Sequence, residues 1–206
     1  MKGRDMMFKI FMGIFMLAFM SPFVWAGVPE GLVKGTTDRV FTILKNPTLK
    51  KADKAQERKQ RLGEEISVVF DFGEMSKRAL GRHWRERSPE EKKEFVDLFS
   101  YILQDSYIGK IDAYSGEEVV YVGEKQDSPY ATVQTKIITK TGTEIIIDYR
   151  LLDEQGKWMV YDVIIEGVSL VNNYRTQFNN ILIRSSYEKL VEKLKQKKGK
   201  KEVSTK

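Results

Sequence analysis

Four segments of alternating apolar and polar residues, near 117–125, 130–139, 143–152 and 157–166, follow one another with only Asp127-Ser128-Pro129, Thr141-Gly142 and Gln155-Gly156 between them. A two-residue period places successive side chains on opposite faces of a strand. Connections this short join antiparallel neighbours, because a parallel crossover needs a dozen residues or more. The stretch therefore predicts a four-stranded antiparallel meander. Ile145, Ile147, Tyr149 and Leu151 fall on one face of the third strand, and Met159, Tyr161, Val163 and Ile165 on one face of the fourth. Directly afterwards Val171, Tyr174 and Phe178 recur at helical spacing, so the fourth strand feeds a helix. Gly167 sits at the switch, where the missing Cβ permits a sharp turn that folds the helix back on the sheet. The two apolar stripes then face each other across either a packed core or a cavity, and periodicity alone does not separate the two.

The first half reads as helical. Leu32, Val33, Val40, Phe41 and Leu44 recur near helical spacing until Asn46-Pro47 stops the element. From Leu49 to Phe70 the apolar stripe is narrow and the charge heavy, which predicts a helix with most of its surface in water. Asp71-x-x-Glu74 has the spacing of a capping box, and Gly81 marks a stop. Ser88-Pro89-Glu90-Glu91 combines a serine N-cap, a proline at the first helical position and a glutamate three residues after the cap. The helix it opens carries Phe95, Leu98, Phe99, Ile102, Leu103 and Tyr107 on one side. Ser169 fits the cap of the helix after the meander, and Ser185-x-x-Glu188 opens a final helix with Tyr187, Leu190, Val191 and Leu194 turned inward. Helices, a meander and more helices make an α+β layer protein.

The N-terminus has the layout of an export signal: basic Lys2, Arg4 and Lys9, an uncharged run from Ile10 to Met20, and a small-residue cleavage site at Val24-Trp25-Ala26. Residues 1–26 are expected to be removed, leaving one domain over 27–195 and a basic flexible tail at 196–206. Lys2, Arg4 and Lys9 against Asp5 carry +2 of the formal +6, so the mature chain is mildly basic at +4. The lysine-rich end has no interleaved aromatics beyond Leu194, so it reads as a solvated terminus and not as a nucleic-acid site. The chain has no cysteine, which removes disulfides, thiolate metal sites and thiol nucleophiles.

Little else offers chemistry. The one histidine, His83, has no second histidine or cysteine to complete a metal set. Asp148 and Asp162 fall on neighbouring strands, opposite the apolar faces, where Arg150 or Lys157 can neutralise them. As a close pair they would be the acid–base site of a small α+β enzyme acting on an apolar ligand, the catalytic alternative this chain offers. Ser169 lacks the flanking pattern of a nucleophile elbow, and neither a phosphate-binding glycine loop nor a dinucleotide fingerprint occurs. The sequence argues against an enzyme and requires no cofactor.

Val160-Tyr161-Asp162-Val163, Glu166-Gly167-Val168-Ser169-Leu170-Val171 and Tyr174-Arg175-x-x-Phe178 resemble the signature of the MlaC family, periplasmic phospholipid-binding or toluene-tolerance auxiliary proteins. Phe70-Asp71-Phe72, Ala79-Leu80-Gly81 with Trp84, Ser88-Pro89-Glu90 leading to Phe95, and Tyr107 and Tyr149 fit the same order, so the resemblance runs from about Val28 to about Leu194. It implies a curved four-stranded antiparallel sheet covered by N- and C-terminal helices, enclosing an apolar pocket with phospholipid as bound cargo. It also implies a shuttle between an inner-membrane ABC transporter complex with a lipid-binding hexameric subunit and an outer-membrane lipoprotein complex. Guided by it, the expected lipid-binding residues are Phe72, Met75, Leu80, Phe99, Leu103, Tyr107, Ile147, Tyr149, Met159, Tyr161, Val163, Leu170, Tyr174 and Phe178. Arg175 could meet a phosphate, or pair with Asp162 or Glu166. A ligand-free adaptor with a filled pocket is the remaining alternative.

Overall fold

The computed structural model describes residues 28–204, with side chains through 199; the expected export signal and its cleavage site lie outside the described residues. Helices α1 (Val28–Lys45), α2 (Ala55–Val69), α3 (Phe72–Leu80) and α4 (Pro89–Asp112) come first. Strands β1 (Glu118–Asp127), β2 (Tyr130–Ile138), β3 (Glu144–Glu154), β4 (Lys157–Ile165) and β5 (Val168–Ser169) follow, then α5 (Leu170–Arg184) and α6 (Tyr187–Ser204). The caps follow from the sequence. Ser88 and Glu91 form a reciprocal capping box at α4, Asp71 accepts from the Glu74 amide at α3, and Ser169 accepts from the Asn172 amide at α5. The final helix is capped one residue later than expected, by Ser186, whose Oγ accepts from the Lys189 amide at 3.4 Å, while Ser185 ends α5. That helix continues through Ser204, past Leu194 where its apolar stripe ends. The second helix starts at Ala55 and not at Leu49. Asn46 Oδ1 accepts from the Thr48 and Leu49 amides in a local turn, and a 3-10 turn at Ala52–Lys54 precedes the helix.

The sheet is antiparallel and open, in the order β1-β2-β3-β4-β5, with five strands where the sequence predicted four. The fifth arises at Gly167. Glu166 and Gly167 both have positive φ, 49° and 76°, the geometry of a two-residue hairpin turn, so Val168 and Ser169 pair back on Ile165 and Ile164 before α5 begins.

A bulge corrects the facing of β4. Arg150 pairs with Asp162 and Leu151 with Val160, which leaves Tyr161 as the extra residue and reverses the alternation there. Trp158 and Val160 therefore join Val163 and Ile165 against the core, and Met159 and Tyr161 do not. Tyr161 instead lies under the Arg78 guanidinium, 4.1 Å from its ring centroid, and edge-on to Tyr130.

Two apolar compartments result. The first is helical: Met75, Leu80, Phe95, Phe99, Phe178 and Leu190, from α3, α4, α5 and α6, are buried together. Its rings interlock edge-on, Phe99 lying 5.0 Å from Tyr174 and 5.3 Å from Phe178. The second lies under the sheet, where Val133, Ile147, Leu151, Val160 and Val163 face Val33 of α1 and Val69 of α2. Helix α4 serves both, and Tyr107 near its C-terminal end packs against each.

Candidate ligand cavity

The sheet face and its covering helices do not close on one another. Between α1, the C-terminal ends of α2 and α4, and the inner face of the sheet lies a partly open cavity of about 520 Å³. Helix α1 contributes Val33, Thr36, Thr37, Val40, Phe41 and Leu44, a continuous helical stripe with two threonines in it. The floor is the odd-numbered face of β3, Ile145, Ile147 and Tyr149, extended by Val119, Ile137, Val160 and Ile165 from the neighbouring strands. Ile66, Val69 and Phe70 close one side, and Tyr107, Ile111 and Tyr114 another.

The wall is predominantly apolar, and its charged groups, Lys110 and Glu117, come from the end of α4 and the chain entering β1. Lys110 is exposed, with its Nζ 5.2 Å from the centroid of the Tyr107 ring. The Glu117 carboxylate accepts from the Ser115 amide and hydroxyl and from the Gly116 amide, and these bonds, the Ser115 amide first, hold it below the usual carboxylate range. Tyr149 stays partly accessible because its surface borders the cavity. Burial pushes its hydroxyl up to about 12, and the nearby Tyr121 hydroxyl adds to the shift. Such a site can hold a hydrocarbon segment inside and a polar group at its rim.

Of the fourteen residues expected at a pocket, Tyr107, Ile147 and Tyr149 line this cavity. Met75, Leu80, Phe99, Leu103 and Phe178 lie in the helical compartment, with Phe72 and Tyr174 packed against it. Val163 and Leu170 are buried in the sheet compartment without lining the cavity, while Met159 and Tyr161 are turned away by the bulge. Sequence reasoning missed the α1 wall, although Val33, Val40, Phe41 and Leu44 were visible as a stripe. The two threonines within it donate their hydroxyls to the Leu32 and Val33 carbonyls of the same helix, so nothing in the composition of the stripe distinguishes a cavity wall from tight packing.

Of the residues considered for catalysis, Asp162 and Ser169 have structural occupations, whereas the buried Oδ1 of Asp148 has no hydrogen-bond partner among the described residues. Asp162 is buried, accepts from Ser169 Oγ at 2.6 Å and from the Val171 amide at 3.1 Å, and so ties β4 to the start of α5. Arg150 lies 3.9 Å from it. Asp148, on β3, pairs across with Ile164. Glu166 accepts from the Ile146 amide, and among the described residues no ion pair joins Arg175 to Asp162 or Glu166. His83 Nε2 lies 3.4 Å from Asn179 Oδ1. Among the described residues no group of three or more His, Asp or Glu side chains could hold a metal ion.

Fold and site together define an α+β protein whose open antiparallel sheet and N-terminal helix enclose an apolar ligand cavity. The chain matches the MlaC protein family over residues 34–196, and it belongs to that family. Among its relatives, the intermembrane phospholipid transport system binding protein MlaC of Haemophilus influenzae is 25% identical over 124 residues, 58% of either chain. The match thus spans little more than half of that protein. Toluene tolerance protein ttg2D of Pseudomonas putida is 24% identical over 174 residues, 84% of this chain and 81% of the relative. The phospholipid-binding protein of Ralstonia solanacearum, solved in complex with a phospholipid, superimposes with a TM-score of 0.74 at 27% identity, covering 82% of this chain and 96% of that one.

Proposed function

We propose that the cavity buries the acyl portion of a phospholipid and that the protein is a periplasmic carrier. It would move lipid between an inner-membrane ABC transporter complex, with its lipid-binding hexameric subunit, and an outer-membrane lipoprotein complex. The observation that carries this reading is a predominantly apolar cavity of about 520 Å³ in the middle of the fold, with its charged groups at one end. The phospholipid bound to the Ralstonia relative and the transport role in the name of the Haemophilus relative support it.

The volumes agree with a hydrocarbon cargo. If a methylene takes about 30 Å³, the share of one water in the liquid, a chain of about sixteen carbons needs about 480 Å³, close to the space available. Burying that chain is worth about 13 kcal/mol at about 0.8 kcal/mol per methylene, so a tail cannot be passed through water. Lys110 at the rim is the cation for a headgroup phosphate. Because bilayer and cavity bury the same methylenes, loading is near balance, and direction comes from the docking partners.

Replacing Val40 by Trp fills the cavity from α1 without changing charge. Native mass spectrometry of the purified protein should find less than half the wild-type amount of co-purifying phospholipid, with the melting temperature kept or raised. Lipid-free wild-type protein, or a folded variant with full lipid content, would overturn the reading.

A further inference from the structure

A second opening lies on another face. Between the C-terminal end of α3, the 3-10 turn at Gly81–Glu86 and α5 is a polar groove of about 350 Å³, lined by Arg82, His83, Asn172, Arg175 and Asn179 among others. It shares no lining residue with the lipid cavity. Tyr174, beside Arg175, packs against Phe99, whereas Lys110 at the cavity rim lies eleven residues further along α4. At 1.5 Å per residue that is about 17 Å of helix, so the headgroup of a lipid held in the cavity does not reach the groove.

Its charge distribution is unlike that of the rest of the protein. Among the described residues Arg39, Arg58, Arg61, Arg78, Arg87 and Arg150 each have a carboxylate within ion-pair range. The four arginines that have none, Arg82, Arg85, Arg175 and Arg184, all lie on the Gly81–Glu86 turn or on α5, the elements that wall the groove. Helix α5 has no Asp, Glu or Lys along its whole length, and its exposed positions are amides, threonine, arginines and the exposed Ile183. Arg175 is also seated. Gly81 has φ of 56°, and Arg175 Nε lies 3.1 Å from the place a Cβ would take there, so the guanidinium rests over backbone that a side chain would cover.

Guanidinium and amide groups without lysines or acids are the composition of a protein–protein contact, where Arg is enriched and Lys, Glu and Asp are depleted. A membrane-binding face gathers lysines as readily as arginines, whereas beyond β5 every described lysine lies on α6 and none on α5. Arginine binds a carboxylate with two parallel hydrogen bonds, which gives orientation as well as attraction. We propose that this groove docks an acidic segment of a protein partner, Arg82 and Arg175 receiving its carboxylates while lipid is exchanged at the separate cavity rim. The docking inference rests on arginines that lack a carboxylate partner, Arg82 Nε meeting only His83 Nε2 at 3.4 Å, and stands whatever the cavity carries.

The test titrates a fluorescein-labelled octaglutamate peptide onto the purified protein and follows anisotropy at two salt concentrations. Arg82→Gln with Arg175→Gln should weaken binding at least tenfold and flatten its salt dependence. Lys193→Gln with Lys197→Gln, the same change in charge on α6, should alter it less than twofold. Asn172→Glu is a second variant that keeps both arginines. It adds a carboxylate in the first turn of α5, where the helix dipole favours one, three residues before Arg175. It should fold with an unchanged or raised denaturation midpoint and still lose at least fivefold in affinity. Equal losses in the arginine and lysine variants would reduce the effect to net charge and overturn the proposal, as would full affinity in Asn172→Glu. Sedimentation with phosphatidylglycerol vesicles that depends on Arg82 and Arg175, without peptide binding, would make the groove a membrane contact and overturn it too.

Discussion

Phe99 decides which of the two apolar compartments is solid. It is fully buried on α4, edge-on to Tyr174 at 5.0 Å and to Phe178 at 5.3 Å, and it does not touch the cavity. Truncating a buried phenylalanine to alanine costs about 3–5 kcal/mol through lost transfer energy and the void left behind. These two ring contacts and a third, with Phe95 at 5.8 Å, put Phe99 toward the upper part of that range. A loss of about 4 kcal/mol is a large part of the whole stability of a domain, about 5–15 kcal/mol, and in a protein of this size lowers the melting temperature by about 8–16 °C. The assay is urea denaturation of delipidated Phe99→Ala, with the phospholipid-to-protein ratio measured by mass spectrometry on variant purified well below its new melting temperature. A large destabilisation with an unchanged lipid ratio is expected. A cost below about 1 kcal/mol together with lost lipid would show that Phe99 faces the cargo, and the assignment of two compartments would be wrong.

Two further substitutions probe the sheet. Asp162→Ala strands the Ser169 hydroxyl and the Val171 amide that it accepts from at the start of α5; urea denaturation should show about 2–4 kcal/mol of lost stability with lipid content intact, and a cost under about 0.5 kcal/mol would contradict the tie. Tyr149, pushed up to about 12 by burial, is neutral in folded and unfolded chains below about pH 9 and adds no pH dependence there. Above pH 10 the unfolded form ionises first, so stability falls as pH rises through 12, by up to about 2–3 kcal/mol. Tyr149→Phe should therefore lose less stability than wild type between pH 9.5 and pH 11.5, and an identical alkaline loss would place that hydroxyl in water.

The meander, its turns and the capped helices were legible because each follows from local rules: alternation, short connections, and serine or aspartate at a helix start. Two features were not. The bulge at Tyr161 leaves no composition mark, since Met159, Tyr161 and Val163 are all apolar enough to sit on either face, and it is the register against Arg150 and Leu151 that decides. The second strand of the last hairpin is only two residues long, so Val168 and Ser169 could not be distinguished from a loop before α5. The cavity was misplaced for a deeper reason. An inward stripe is a property of one element, whereas a gap depends on how far apart two stripes stand, and the identity of Phe99 or Val40 does not carry that distance. The stripe on α1 was legible as one face of a helix, yet what it faces was set by residues about a hundred positions away on β3.

Helix α4 belongs to the interlocked rings along most of its length and to the cargo chamber only at its last turns. Foldability and selectivity are thereby assigned to different stretches of a single rod. With acyl chains in the cavity as proposed, substitutions along the α1 stripe or the β3 floor would retune which tails fit while the ring cluster is left intact, so relatives could diverge in what they carry without losing that core.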